Sequence, residues 1–219
     1  MITLAAHDDK RPFRQRRLLH GMIVAYTVLW GVCAFSPWHR SDWLLENLLV
    51  FISVPLIVYE FTRRPLSDLS YVFIFTFFCL HAVGAHYTYA EVPLGAWLQG
   101  ELGLGRNHYD RVVHFSFGLL LAYPVREVTL RYARAGIGLS GFIAFTVIAA
   151  SSAVYEVIEM LAAMTVSPET AFAYLGVQGD VFDAQKDTAL AIVGCIFALM
   201  LSRRHFRRGN ADVATGAMR

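Results

Sequence analysis

The sequence predicts an all-α fold, a polytopic transmembrane helical bundle of about six spans with its N- and C-termini in the cytoplasm. The 219 residues are 56% hydrophobic and only 16% charged, and their mean hydropathy is +0.47. That is more apolar side chain than a single soluble core needs. The charged residues also fall into short clusters, separated by stretches of roughly 18 residues or more, the length that crosses ~30 Å of hydrocarbon.

Six apolar stretches bounded by turn residues or charges are the predicted spans. They are residues 18–35, 43–61, 69–90, 108–126, 139–163 and 183–201. Together they form one predicted transmembrane domain, 18–201, between a basic cytoplasmic lead, 1–17, and a basic cytoplasmic tail, 202–219. The alternative is five spans with one further segment that enters and leaves on the same side of the membrane.

The first stretch has the layout of a signal peptide, because a basic lead precedes an apolar run. However, residues 35–38, Phe-Ser-Pro-Trp, offer no cleavage site of the small-x-small type, and further apolar stretches follow. We therefore predict a first helix that is retained.

The positive charges predict the orientation of the bundle. Most of the 19 lysines and arginines lie in the lead, in the segments after the second and fourth spans, and in the tail. Cytoplasmic segments retain such residues, so an even number of spans keeps both basic ends on the inner side. The net charge is only +2, which gives no reason to expect nucleic acid as a partner. The expected partner is the lipid bilayer.

Ionisable side chains lie in or beside four spans, at the ends that this topology assigns to the outer side. Placing such groups in lipid costs free energy, so they usually face the bundle interior, pair with one another or mark a functional site. They are His86 and Glu91 around the end of the third span, Asp110 and His114 in the fourth, Glu156 and Glu159 in the fifth, and Asp180, Asp183 and Asp187 around the start of the sixth. Residues three, four or seven apart share one helical face, so the members of each of the last three sets point the same way.

Carboxylates and imidazoles that converge from several helices suit a hard or borderline divalent cation. We predict a site for such a cation, of unspecified identity, near the outer membrane face. The predicted ligands are Asp110, His114, Glu156, Glu159, Asp180 and Asp183. The candidates for general acid–base catalysis are His114, Glu156 and Glu159, and the secondary candidates are His86, Glu91 and Asp187.

Each set of polar residues also has a simpler explanation. An acid at the start of a helix can cap it or pair with a neighbouring cation such as Arg111 or Lys186. Glu46 and Asn47, in the second span, are expected to form hydrogen bonds between helices.

Four segments resemble the YjdF-like family of bacterial inner-membrane proteins. They are HYTYAEVP at 86–93, RNHYDRVVHF at 106–115, YEVIE at 155–159 and GVQGDVFDAQ at 176–185. Residues 186–188, Lys-Asp-Thr, depart from the aromatic-Asp-Met of that family but keep Asp187. The resemblance implies a multi-pass protein of the bacterial inner (plasma) membrane and implies no established activity.

The spacing of the polar residues is also similar to that of VanZ-like membrane proteins. These place an Asp-basic-x-x-His pattern on one helix, an acid pair or Glu-x-x-Gln on the next, and spaced aspartates at the start of the last. In this sequence the three places are occupied by Asp110-Arg111 with His114, by Glu156 with Glu159, and by Asp180 with Asp183 and Asp187.

Three functions are compatible with these residues. The first is a membrane protein that uses a metal site to act on a lipid or lipid-linked head group. The second is a proton-coupled transporter, although an alternating path needs a matching polar set at the other side. The third is a non-catalytic scaffold whose polar groups fix the register of the helices. The sequence leaves open the substrate, the oligomeric state and whether the protein is an enzyme.

Overall fold

The computed structural model describes residues 12–133 and 135–216, and in these ranges the chain forms helices and turns with no strand. A short 3₁₀ helix at Phe13–Gln15 comes first. The α-helices that follow are α1 (Arg17–Ala34), α2 (Arg40–Arg63), α3 (Asp68–His86), α4 (Pro93–Leu102), α5 (Tyr109–Tyr132), α6 (Ile137–Ala163), α7 (Pro168–Leu175) and α8 (Asp183–Gly216). Most of the predicted basic lead, residues 1–11, and the end of the predicted tail, 217–219, lie outside the described residues.

The predicted all-α transmembrane bundle is confirmed. Among the described residues, five helices are long and apolar enough to cross a membrane: α1, α2, α3, α6 and the part of α8 from Asp183 to Arg203. Their outward faces carry large apolar side chains, such as Val32, Ile52 and Phe142, each at least 64% exposed. Lipid contact explains such exposure. The cytoplasmic location of the termini stays a prediction.

The predicted fourth span corresponds to α5, which is more polar than α1, α2, α3, α6 and the Asp183–Arg203 part of α8. With 24 residues, α5 is about 36 Å long and therefore long enough to cross a bilayer. It packs against α3, α6 and α8, so protein rather than lipid surrounds it. This central position explains how it carries acids and arginines near both of its ends.

The helix boundaries differ most from the predicted spans at the ends of α3, α5 and α8; α5 ends at Tyr132 instead of residue 126. The third span was predicted to reach residue 90, but α3 ends at His86, because Thr88 and Tyr89 have positive φ angles of 57° and 51°. Conversely, α8 continues as one helix to Gly216, past the predicted end of the last span at residue 201. The linkers also contain two short helices, α4 and α7, each with a proline in its first turn, a position that proline favours.

Small residues allow α5 and α8 to approach closely. A Cβ atom added to Gly118 would lie 1.8 Å from the carbonyl oxygen of Ala191, and one added to Gly194 would lie 2.1 Å from that of Phe115. Close backbone approach at small residues is a usual way for helices to associate in membranes. This contact fixes the start of α8 beside the start of α5.

A hydrogen-bonded polar cluster closes the opposite end of the bundle. The Glu127 carboxylate accepts hydrogen bonds from Ser67, Ser70 and Arg131. The neighbouring Arg126 donates to Ser140 and Ser202 side chains and to the Ile137 carbonyl oxygen. Arg126 and Glu127 are both 3% exposed, so this cluster joins α3, α5, α6 and α8 inside the protein.

Candidate metal centre

Three potential metal ligands meet where α5 and α8 begin. Asp110 and His114 lie one turn apart on α5, and Asp187 lies in the second turn of α8. One carboxylate or imidazole donor atom from each residue lies within 4.8 Å of the other two. Donor atoms on opposite sides of an ion, with bonds of roughly 2.0–2.6 Å, are up to about 5 Å apart. The three side chains are therefore within reach of one cation.

Glu156 of α6 is a third acid near His114, in addition to Asp110 and Asp187. The Nε2 atom of His114 lies 3.5 Å from Oδ1 of Asp110 and 3.6 Å from Oε1 of Glu156. In the described part of the chain, Oε1 of Glu156 and Oδ1 of Asp187 are buried and have no hydrogen-bond partner. Buried carboxylate oxygens without partners are costly, and a bound divalent cation would compensate them. The donor set fits such an ion.

Glu159 lies one turn beyond Glu156 on α6 and interacts electrostatically with Glu156, Asp110 and Glu46. Glu46 of α2 is 2% exposed, and its Oε2 accepts a hydrogen bond of 2.7 Å from the Tyr155 hydroxyl. This contact confirms that Glu46 bonds between helices, as predicted from the sequence. Glu46 is also an acid beside the site that was not among the predicted site residues.

Asn47, next to Glu46, forms the other hydrogen bond predicted between helices. Its Oδ1 accepts from the Trp30 indole of α1 at 2.6 Å. The neighbouring turn of α2 adds another buried acid, Asp42, which is 1% exposed and whose two oxygens have no hydrogen-bond partner among the described residues. An isolated acid in a hydrophobic span was the sequence signal for Glu46, but that signal does not tell which helix Glu46 faces. Asp42 lies just before the predicted span, so the sequence contains no such signal for it.

Asp180 and Asp183 bind arginines instead of joining the three-residue group. Arg106 donates to both oxygens of Asp183, and Arg111 donates to Asp180 and, at 3.3 Å, to Asp183. Asp180 also accepts hydrogen bonds from Lys186, which chiefly lower the pKa of Asp180 to about 2. Ion pairing therefore satisfies these two carboxylates, and it locks the loop before α8 onto the start of α5.

Two loops are joined behind this ion pair. The backbone nitrogen of Asn107 donates to the Gln178 side-chain oxygen at 2.9 Å, and Gln178 returns a bond of 3.0 Å to the Asn107 carbonyl. The Asn107 amide also donates to the Val92 carbonyl at 3.0 Å. The segments 86–93, 106–115 and 176–185 that the sequence analysis singled out thus meet, and several of their polar residues hold loops in place. Arg106, Asn107 and Gln178 were not predicted as site residues.

Two of the secondary candidates lie away from the acids. The Nδ1 atom of His86 donates to the Cys33 carbonyl at 2.8 Å, which ties the end of α3 to the end of α1. Glu91 is exposed in the turn before α4. The third secondary candidate, Asp187, is one of the three potential ligands that lie together.

Residues 18–208 match the model of the DUF2238 family, described as predicted membrane proteins. The chain belongs to this family. Inner membrane protein YjdF of Escherichia coli (strain K12) is 37% identical over 194 residues, which cover 87% of this chain and 92% of the relative. No solved structure matches the chain. The YjdF-like resemblance is confirmed, and this DUF2238 member is a multi-pass protein of the inner membrane.

Proposed function

We propose that this DUF2238 protein binds a divalent cation through Asp110, His114 and Asp187 and acts on the head group of a lipid or lipid-linked molecule. The observation that carries the proposal is the approach of three donor atoms to within 4.8 Å of one another. The unpartnered oxygens of Glu156 and Asp187 support it, because a cation would offset the cost of burying them.

The depth of the site supports a head group as the target. Asp110 is in the first turn of α5, and Asp187 is in the second turn of α8, so both lie near the ends of their helices. Helix ends lie at the level of lipid head groups, whereas the helix centres lie among the acyl chains. A lipid could therefore bring its polar part to these residues without leaving the membrane.

The surrounding acids supply the remaining roles. A divalent cation supplies Lewis acidity and acidifies a water molecule. Glu156 lies next to His114, and Glu159 lies one turn further along α6, so either carboxylate is placed to take up or release a proton. Tyr155 holds Glu46 at the side of this group.

The proposal is tested by measuring the metal content of the purified protein. We expect about one divalent ion per chain by mass spectrometry of the elements, and a loss of roughly tenfold or more in affinity for Asp187→Asn and for His114→Ala. Glu91→Gln, which removes an exposed acid, is the matched control and keeps the metal. A protein without stoichiometric metal, or one whose metal content is the same in all three variants, would overturn the proposal.

The two alternative functions predict other results. A scaffold predicts that the same variants lower thermal stability without a separate loss of ligand binding. A proton-coupled transporter predicts solute or proton flux in proteoliposomes that His114→Ala abolishes. Against a transporter, Arg126 and Glu127 at the opposite end are buried and hydrogen-bonded to serines rather than exposed along a path. Arg126 donates to Ser140 and Ser202, and Glu127 accepts from Ser67 and Ser70.

A further inference from the structure

A cavity of about 630 Å³ lies between α2, α3, α5 and α6. One end of it is polar, with Asp110, His114, Tyr155 and Glu159 in its wall. Most of the remaining wall is apolar and includes Leu49, Ile74, Phe117, Leu121 and Ile148. A volume of this size is within the roughly 300–1,000 Å³ of small-molecule sites. Its polar head and apolar body match an amphiphile.

The cavity is elongated. Its wall on α5 extends from Asp110 to Thr129, a distance of about 28 Å along a helix axis. The length is close to the ~30 Å thickness of the hydrocarbon layer. An extended hydrocarbon chain therefore fits along it.

The cavity reaches the outer surface of the bundle between α2 and α6. Leu56 of α2 and Val147 of α6 both line it, yet they are 63% and 39% exposed. α2 packs against α3 and α7, and the hydrogen bond from Tyr155 to Glu46 joins it to α6 near the polar end. On the side of that bond away from the polar end, the gap between α2 and α6 faces the bilayer. A lipid chain can enter the cavity sideways through this gap.

The charge of the polar end selects the head group. Asp110, Glu156, Glu159 and Asp187 are close together, so an anion would be repelled there unless a cation intervened. Divalent cations such as Mg²⁺ are commonly held by one or two carboxylates together with phosphate oxygens of the substrate. A phosphate head group therefore complements the proposed metal centre.

We infer that this cavity binds a lipid phosphate, with a hydrocarbon chain lying between α2 and α6 and the phosphate facing Asp110 and His114. The choice of a phosphate rests on the proposed metal centre. The choice of a lipid rests on the apolar wall of the cavity and on its opening between α2 and α6.

The inference is tested with the purified full-length protein and hexadecyl phosphate as the probe, by native mass spectrometry in the presence of Mg²⁺ or Mn²⁺. We expect one molecule bound per chain. Hexadecanol, which has the same chain and no phosphate, should bind at least about tenfold more weakly, a difference of ~1.4 kcal/mol. Equal binding of the two molecules would overturn the inference.

Two matched pairs of variants test the location. Ser53→Phe on α2 and Ser152→Phe on α6 place a ring in the cavity wall, whereas Val54→Phe and Val154→Phe place the same ring on the outer face of the same helices. We expect the inward variants to weaken probe binding at least about tenfold while keeping their metal, and the outward variants to match the unchanged protein. If inward and outward variants that elute as folded protein bind the probe equally well, the cavity is not the binding site. Ser53 is half-buried, so Ser53→Phe remains a usable test if the buried Ser152 does not tolerate a ring.

Separate measurement of the metal distinguishes failure of this inference from failure of the proposed function. Metal bound by a protein that takes up no hexadecyl phosphate would refute the lipid inference alone. Probe binding that Ser53→Phe blocks, in a protein without metal, would refute the metal centre and leave the lipid-binding cavity supported.

Discussion

His114 Nε2 lies 3.6 Å from Glu156 Oε1, across the contact between α5 and α6, and 3.5 Å from Asp110 Oδ1 on its own helix. One ring nitrogen therefore faces carboxylates from two helices. This relationship places Glu156 beside the three potential ligands Asp110, His114 and Asp187, where under the proposed function it would orient the imidazole or exchange a proton.

Glu156→Gln is expected to weaken metal binding without unfolding the protein. The amide keeps the shape of the side chain but loses the negative charge next to His114. Loss of a group that supports a metal ligand commonly reduces metal affinity or activity by roughly 10–100-fold. Titration of the metal-free protein with Mn²⁺ or Zn²⁺, followed by calorimetry, measures this change, and affinity equal to that of Glu91→Gln would show that Glu156 does not act on the metal.

Arg106→Ala is expected to destabilise the protein strongly. Arg106 is 6% exposed and its partner Asp183 is 3% exposed, so the change leaves a buried carboxylate with only the Arg111 contact. Breaking a buried ion pair on one side costs about 3–5 kcal/mol. The double variant with Asp183→Asn should recover part of this loss, because it removes the buried charge. The midpoint of thermal unfolding in detergent measures both, and a double variant less stable than Arg106→Ala would contradict the explanation.

Tyr155→Phe is expected to lower the free energy of unfolding by about 1–3 kcal/mol, because it removes the hydroxyl that donates to the buried Glu46. Tyr59→Phe, at a tyrosine that is 59% exposed, is the control and should change stability little. Thermal unfolding of the two variants side by side provides the measurement. Equal midpoints would mean that the bond between α2 and α6 contributes nothing to stability.

Gly118→Ala is expected to loosen the packing of α5 against α8, since the new methyl group would lie 1.8 Å from the Ala191 carbonyl oxygen. Overpacking of this kind costs about 1–3 kcal/mol or more. Gly21→Ala on α1 is the control, because a Cβ atom there has nothing within 4 Å and alanine favours a helix. Because α8 carries Asp187, we also expect Gly118→Ala to lower metal affinity, and an unchanged affinity would show that the start of α8 is held by its loop alone.

The positions of the apolar stretches were predictable because the thickness of a bilayer sets the length of a spanning helix. The sharing of a face by Asp110 and His114 was predictable for a similar reason, since it depends only on the period of the α-helix. The end of α3 was not predictable. The sequence of residues 87–89 is compatible with a continuing helix, and only the structure shows that the backbone turns at Thr88 and Tyr89.

The sequence by itself determined that this is a helical membrane protein with acids and histidines gathered near the ends of several helices, because hydropathy and helical period are local properties of the chain. Only the tertiary structure decided that Asp187 joins Asp110 and His114 while Asp183 does not. Both aspartates lie on the same face of α8. They differ in their partners, because the guanidinium of Arg106, which comes from a loop distant in sequence, donates hydrogen bonds to both oxygens of Asp183. Residues far away in the sequence decide which acid forms an ion pair and which does not. The spacing of the acids carries no information about those residues.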